Sequence, residues 1–346
     1  MSQDFCTVLD RFLEAYREKE QYSGVIRVTH KDNIIYQRNI GYADRERQIE
    51  FHKDSKFNLY SITKAFCAIG FMKLVDKGVV DLDKHPGVYL PELTEFDQRI
   101  TLRHILQHVS GLPDFAQDTP MRSTRPGNSS AQIRSYFKDL VSYPMHFEPG
   151  TGDHYSNVNY MILAFIVEEL TGELFADYIK REVFEPIGAR TACIPKSGDL
   201  VDNKVVGYGL EDGKPVPVVS SDWMYGAGDA VGTVDDVYAL NLAIKHKLVL
   251  TEESWNQVLT PSVVNHKGFG CTVTKWGNKR RVVHNGGAAG FRTYHAYVPE
   301  DDFDLIVLSN SGWGNHRVDI SNAVFNACYG EDREPHVSIE MDKGYI

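Results

Sequence analysis

Strand-forming runs occupy both ends of this chain, and helix-forming runs fill its middle. Ser23–His30 and Ile34–Asp44 flank the polar turn Lys31-Asp32-Asn33 and read as a hairpin. Four β-rich runs return much later, at Gly268–Trp276, Lys279–His284, Phe291–Val298 and Phe303–Asn310. Between them, Ser61–Val75, the segment after Thr101 up to Gly111, and Asn157–Glu169 carry helical spacing and helix-ending signals. The pattern predicts an α/β protein of the α+β type. One antiparallel sheet is shared by the two ends of the chain and flanked by helices, with a mostly helical subdomain inserted. The expected boundaries are 1–60 plus 206–346 for the sheet part and 61–205 for the helical part. Phe5, Val8, Leu9, Phe12 and Leu13 predict a first amphipathic helix within 3–20. Thr233 and Asp236 predict a capping box for a helix through Ile244, and Asp319–Cys328 a closing helix.

With 346 residues, 42% hydrophobic and 24% charged, the chain has the composition of a folded protein with a full core. Its net charge of −10 argues against a nucleic-acid partner, which requires a basic face. The most apolar stretch, Met161–Val167, is far short of the ~20 residues that span a bilayer. The first residues carry acids and no basic flank before an apolar run, so no secretory signal is read and a cytoplasmic location is expected, or an exported one if a leader was removed. Five scattered cysteines form no C-x-x-C pair, so neither a disulfide framework nor a zinc cluster is expected.

Three local patterns carry chemistry. Ser61 and Lys64 stand three residues apart at a helix start, where the lysine shares the serine's face. A serine hydroxyl needs a base within hydrogen-bond reach to become a nucleophile, and a helix start offers N–H groups to developing negative charge. Tyr155-Ser156-Asn157 precedes an apolar helix; the phenol suits proton exchange and the Asn157 amide suits orientation of lysine and substrate. His284-Asn285-Gly286-Gly287 follows a strand, and its glycines permit close approach of a substrate to the backbone. Other signals fail. His104 and His108 have the i, i+4 spacing of a zinc helix without its glutamate, so they are read as structural. Gly226–Gly232 misses the dinucleotide fingerprint, no G-x-S-x-G elbow occurs, and Cys67 is read as a small core residue.

Taken in order, the three patterns resemble the serine β-lactamase and penicillin-binding-protein family, in its class C-like branch. The phrases TLRHILQHVSGLPDF, FEPGTGDHYSNVNYMILAFIVEELTG and GAGDAVGTVDDVYALNLAI extend the resemblance from about residue 20 to residue 328. It implies a β-lactamase/transpeptidase-like fold, with the site in the groove between sheet and helical subdomain. It further implies acyl transfer on Ser61, a base role shared by Lys64 and Tyr155, and an oxyanion held by the N–H groups of Ser61 and Gly287. Asn157, His284, Asn285 and Gly286 then touch substrate, and no metal or organic cofactor is required. The chain departs from the antibiotic-hydrolysing pattern where His284-Asn285 replaces Lys-Thr. That shifts the expectation toward small neutral esters or amides and away from β-lactams. Arg292, just beyond the glycines, is read either as a solvated strand-end residue or as a substitute contact for a substrate carboxylate. The alternatives are a D-peptidase or penicillin-binding protein, a weak class C-like β-lactamase, and an acylated sensor without turnover.

Overall fold

The computed structural model describes residues 3–118, 130–196, 198–219 and 224–330, so the outermost ends of the predicted sheet segments lie outside it. Helix α1 (Gln3–Glu20) buries Phe5, Leu9, Leu13 and Tyr16, a stripe at helical spacing. Strands β1 (Gly24–His30) and β2 (Asn33–Ile40) form the hairpin. Its turn is only Lys31-Asp32, both at positive φ (+50° and +62°), the backbone that matches the twist of paired strands; Asn33 already belongs to β2.

The chain then leaves the sheet. Helices α2 (Thr63–Asp76) and α3 (Asn157–Thr171) are apolar nearly all round and become the centre of the helical part. Gly172, at φ +70°, ends α3. Helix α4 (Val234–His246) starts at the predicted Thr233–Asp236 capping box. The chain returns to the sheet as β3 (Thr272–Trp276), β4 (Lys279–Ala288), β5 (Phe291–Val298) and β6 (Phe303–Ser309), and closes with α5 (His316–Tyr329).

The six strands form one antiparallel sheet in the order β2-β1-β6-β5-β4-β3. The two ends of the chain meet where β1 pairs with β6, from Gly24 opposite Ser309 to His30 opposite Phe303. Every residue of β6 is buried because both faces of the sheet are covered. Leu305 and Val307 pack with Phe5, Leu9, Ile320, Val324 and Phe325 of the terminal helices. Ile306 and Leu308 join the other core, with α2 and α3. No helix among the described residues is long and apolar enough to cross a membrane.

Three local readings change. Ser61 lies in a 3₁₀ turn, Tyr60–Ile62, that precedes α2 and is not its first residue. The helix after Thr101 is short, Leu102–Leu106, because His108 takes positive φ (+56°) and turns the chain. Two-residue strands at Phe57–Asn58 and Val231–Gly232, too short to show a period, pair just before the Ser61 turn.

Candidate active site

The Ser61 turn is clamped from two sides. The Leu59 N–H donates to the Ala230 carbonyl, and the Leu59 carbonyl accepts the Thr293 hydroxyl from β5. Tyr60 sits at φ +48°, a left-handed backbone rarely adopted by a bulky residue and costing ~1–3 kcal/mol, so its surroundings must hold it. Ser61 is 4% exposed, and Lys64 in the first turn of α2 is completely buried.

Lys64 Nζ lies within hydrogen-bond distance of Asn157 Oδ1 at 2.8 Å, the Ala227 carbonyl at 2.6 Å and Ser61 Oγ at 3.2 Å. The first two accept only, so each takes an N–H. The third contact is open in direction: Ser61 Oγ accepts from an ammonium, or its O–H donates to the lone pair of a neutral amine. Either way a proton path of one hydrogen bond joins serine and lysine.

Tyr155 stands beside this pair, with Lys64 Nζ 4.8 Å from its ring centroid. The ring stacks on His108 at 4.3 Å between centroids. His108 Nδ1 also accepts the Ser156 N–H, and burial holds this imidazole well below the usual histidine range. His108 therefore acts as a neutral platform that fixes the Tyr155 segment. Its earlier partner His104 caps its own helix at Thr101, so the i, i+4 pair does not converge. At the start of α3 the buried Asp114 carboxylate accepts the Asn157 N–H, which fixes the amide that faces Lys64.

Strand β4 runs through the glycine pattern to Ala288. Its pairing with β3 ends at Val283–Thr272, so residues 284–288 keep β5 on one side and present an edge on the other. Gly286 leaves no room for a side chain: a Cβ there would meet the Leu59 carbonyl at 2.3 Å, Thr293 Oγ1 at 2.4 Å and the Ser61 nitrogen at 3.1 Å. Strand alternation turns Gly287 the other way, toward Arg317 and Arg292. Arg292 pairs opposite Gly287 and donates to the Phe291 carbonyl at 2.8 Å, on the face of the strand away from Ser61.

A cleft of about 400 Å³ lies beside the Ser61 turn, lined among others by Tyr155, Tyr160, Lys267, His284 and Asn285. His284 Nδ1 lies 2.7 Å from the Asn285 carbonyl, so its proton sits there and Nε2 keeps a lone pair. Burial, with Lys64 adding to it, pushes His284 down to about 3, and the ring is neutral at pH 7. Lys267 is held by both carboxylate oxygens of Asp153, each at 2.7 Å. Ala227, Asp114, Tyr160, Asp153 and Lys267 are site residues that the sequence reading did not select. Of these, only Tyr160 carried a local signal, three residues after Asn157 on the same helix face.

Similar proteins place the chain in a family. The family described as Beta-lactamase matches residues 9–324. Penicillin-binding protein 4* of Bacillus subtilis (strain 168) is 27% identical, over 87% of this chain and 71% of that protein. The solved structure of D-amino acid amidase from Ochrobactrum anthropi SV3, complexed with D-phenylalanine, superposes with a TM-score of 0.80. It is 22% identical and covers 94% of this chain and 99% of that one. EstCE1, described as a hydrolase with promiscuous acyltransferase activity, superposes with a TM-score of 0.81 at 19% identity, covering 95% of this chain and 99% of that one. At these identities the two structures show a shared fold. With a family match over nearly its whole length, the chain belongs to the Beta-lactamase family, and it is a serine hydrolase.

Proposed function

We propose that the protein hydrolyses small neutral esters or amides through an acyl-enzyme on Ser61. The observation that supports this reading is the 3.2 Å contact between Lys64 Nζ and Ser61 Oγ, across which a proton can be exchanged. Ser61 Oγ attacks the substrate carbonyl carbon while its proton passes to the Lys64–Tyr155 pair. The carbonyl oxygen becomes an oxyanion held by the N–H groups of Ser61 and Gly287. Gly287 and Asn285 alternate with Gly286 along β4, so their N–H groups share one strand edge. Tyr155 returns the proton to the leaving group as the carbonyl–leaving-group bond breaks. Water then attacks the ester, gives its proton to the same pair, and Ser61 leaves with its hydroxyl restored. Asn157 orients Lys64, and His284 and Asn285 line the acyl or leaving-group side of the cleft.

The preference for neutral substrates rests on charge. His284 is neutral, and Lys267 is neutralised by Asp153, so the cleft offers an anionic carboxylate little. A chromogenic panel tests the proposal: p-nitrophenyl acetate and butyrate, D-amino-acid anilides and a cephalosporin, each beside Ser61→Ala. Fastest turnover of short esters, lost in Ser61→Ala, supports it. Fastest turnover of the cephalosporin or a D-amino-acid anilide replaces the substrate class, and a stable acyl adduct without turnover indicates a sensor.

A further inference from the structure

Asp118, His146 and His154 come from three separate stretches of chain, and their ligand atoms lie within 4.8 Å of one another. His146 Nε2 is 2.9 Å and His154 Nε2 3.1 Å from the same oxygen, Asp118 Oδ2. The two imidazole rings stack 3.6 Å apart, so both Nε2 atoms converge from one side. That oxygen also accepts the Asp114 N–H at 2.7 Å. Three donors thus address one carboxylate oxygen that has about two lone-pair sites, an arrangement hydrogen bonding alone satisfies poorly.

As ligands the same atoms are of the type a zinc takes. Around a tetrahedral zinc with bonds of ~2.0–2.2 Å, donor atoms stand about 3.3–3.6 Å apart, so the two Asp118–histidine spacings must open by roughly half an ångström and the stacked rings must splay apart to bring both lone pairs onto one ion. The backbone already holds both histidines: the His146 N–H donates to the Gly111 carbonyl and the His154 N–H to the His108 carbonyl. Two imidazoles and one carboxylate select a zinc-like transition ion over magnesium or calcium, which prefer all-oxygen sites.

We propose that Asp118, His146 and His154 bind one divalent transition ion of the zinc type, with a fourth position open to water. The ion ties together the loop after Pro113 and the segment that leads directly into Tyr155. It is separate from Ser61 and takes no part in the acyl transfer described above.

The test uses full-length, tag-free protein, stripped with a chelator and desalted. Zn²⁺ is titrated by calorimetry and Co²⁺ by visible absorption. One ion per chain is expected, with the intensified d–d absorption of low-coordinate Co²⁺ and no competition from Mg²⁺. His146→Ala and His146→Gln should each weaken binding at least about tenfold, with melting midpoints matching the stripped wild type. In the unmutated protein, Zn²⁺ should protect His146 and His154 from diethyl pyrocarbonate, mapped by mass spectrometry, which keeps the test independent of how the variants fold. No stoichiometric binding, wild-type affinity in both His146 variants, or unprotected histidines would overturn the proposal.

Discussion

Lys64 Nζ lies 3.2 Å from Ser61 Oγ and donates to Asn157 Oδ1 and the Ala227 carbonyl, which only accept. In the proposed mechanism serine, lysine and the neighbouring Tyr155 act as one proton-handling unit. Lys64→Ala and Tyr155→Phe are each expected to lower kcat steeply, and the double variant should lose little more than the worse single one. Losses that multiply, or near wild-type kcat in Tyr155→Phe, would remove the tyrosine from the relay.

The neutral state of His284 predicts a substrate switch. His284→Lys with Asn285→Thr adds a cation and a hydroxyl donor to the cleft. A hydrogen bond to a charged group is worth ~1.5–3 kcal/mol, so kcat/KM for a cephalosporin should rise roughly 10- to 150-fold relative to an ester. The gain should shrink with added salt. An unchanged ratio would mean that this pair of positions does not set the charge preference.

Gly286 offers a steric test of how closely β4 approaches the nucleophile. Gly286→Ala places a Cβ 2.3 Å from the Leu59 carbonyl, against the backbone that leads into Ser61. The expected result is a loss of ~1–3 kcal/mol in urea unfolding, with kcat/KM falling more than about tenfold by the loss of near-attack geometry. Wild-type activity in this variant would show that the edge of β4 has slack.

Much of this was legible from periodic or local patterns. β6 and α1 announce themselves by spacing, and Ser61–Lys64 by an i, i+3 relation within one turn. The partners contributed by loops left no such trace. Ala227 acts through its carbonyl, to which any residue type is equivalent, and Asp114 reaches the start of α3 from 43 residues earlier in the chain. His104 and His108 looked like a helical pair because the left-handed turn at His108 is invisible in composition. The reverse holds for His146 and His154, which match no ligand spacing and meet only because both segments are tied to residues 108–111.

Asp304 makes stability pH-dependent. Buried in β6, with Asp302 nearby, its carboxyl is pushed up to about 7 from an ordinary value of 3.8. A raised carboxyl leaves the fold unpenalised below about 3.8, and stability is lost as pH rises through about 7. Asp304→Asn should therefore raise the unfolding free energy at pH 8, by at most about 4 kcal/mol, and change it little at pH 4. An equal effect at both pH values would assign the change to packing and not to charge.

The proposed hydrolysis requires Ser61 to form the covalent intermediate. Intact-protein mass spectrometry after treatment with a fluorophosphonate, followed by peptide mapping, tests it directly. One adduct per chain on the peptide containing Ser61, absent in Ser61→Ala, is the predicted result. An adduct on Ser110 or Ser156, or undiminished labelling of Ser61→Ala, would contradict it.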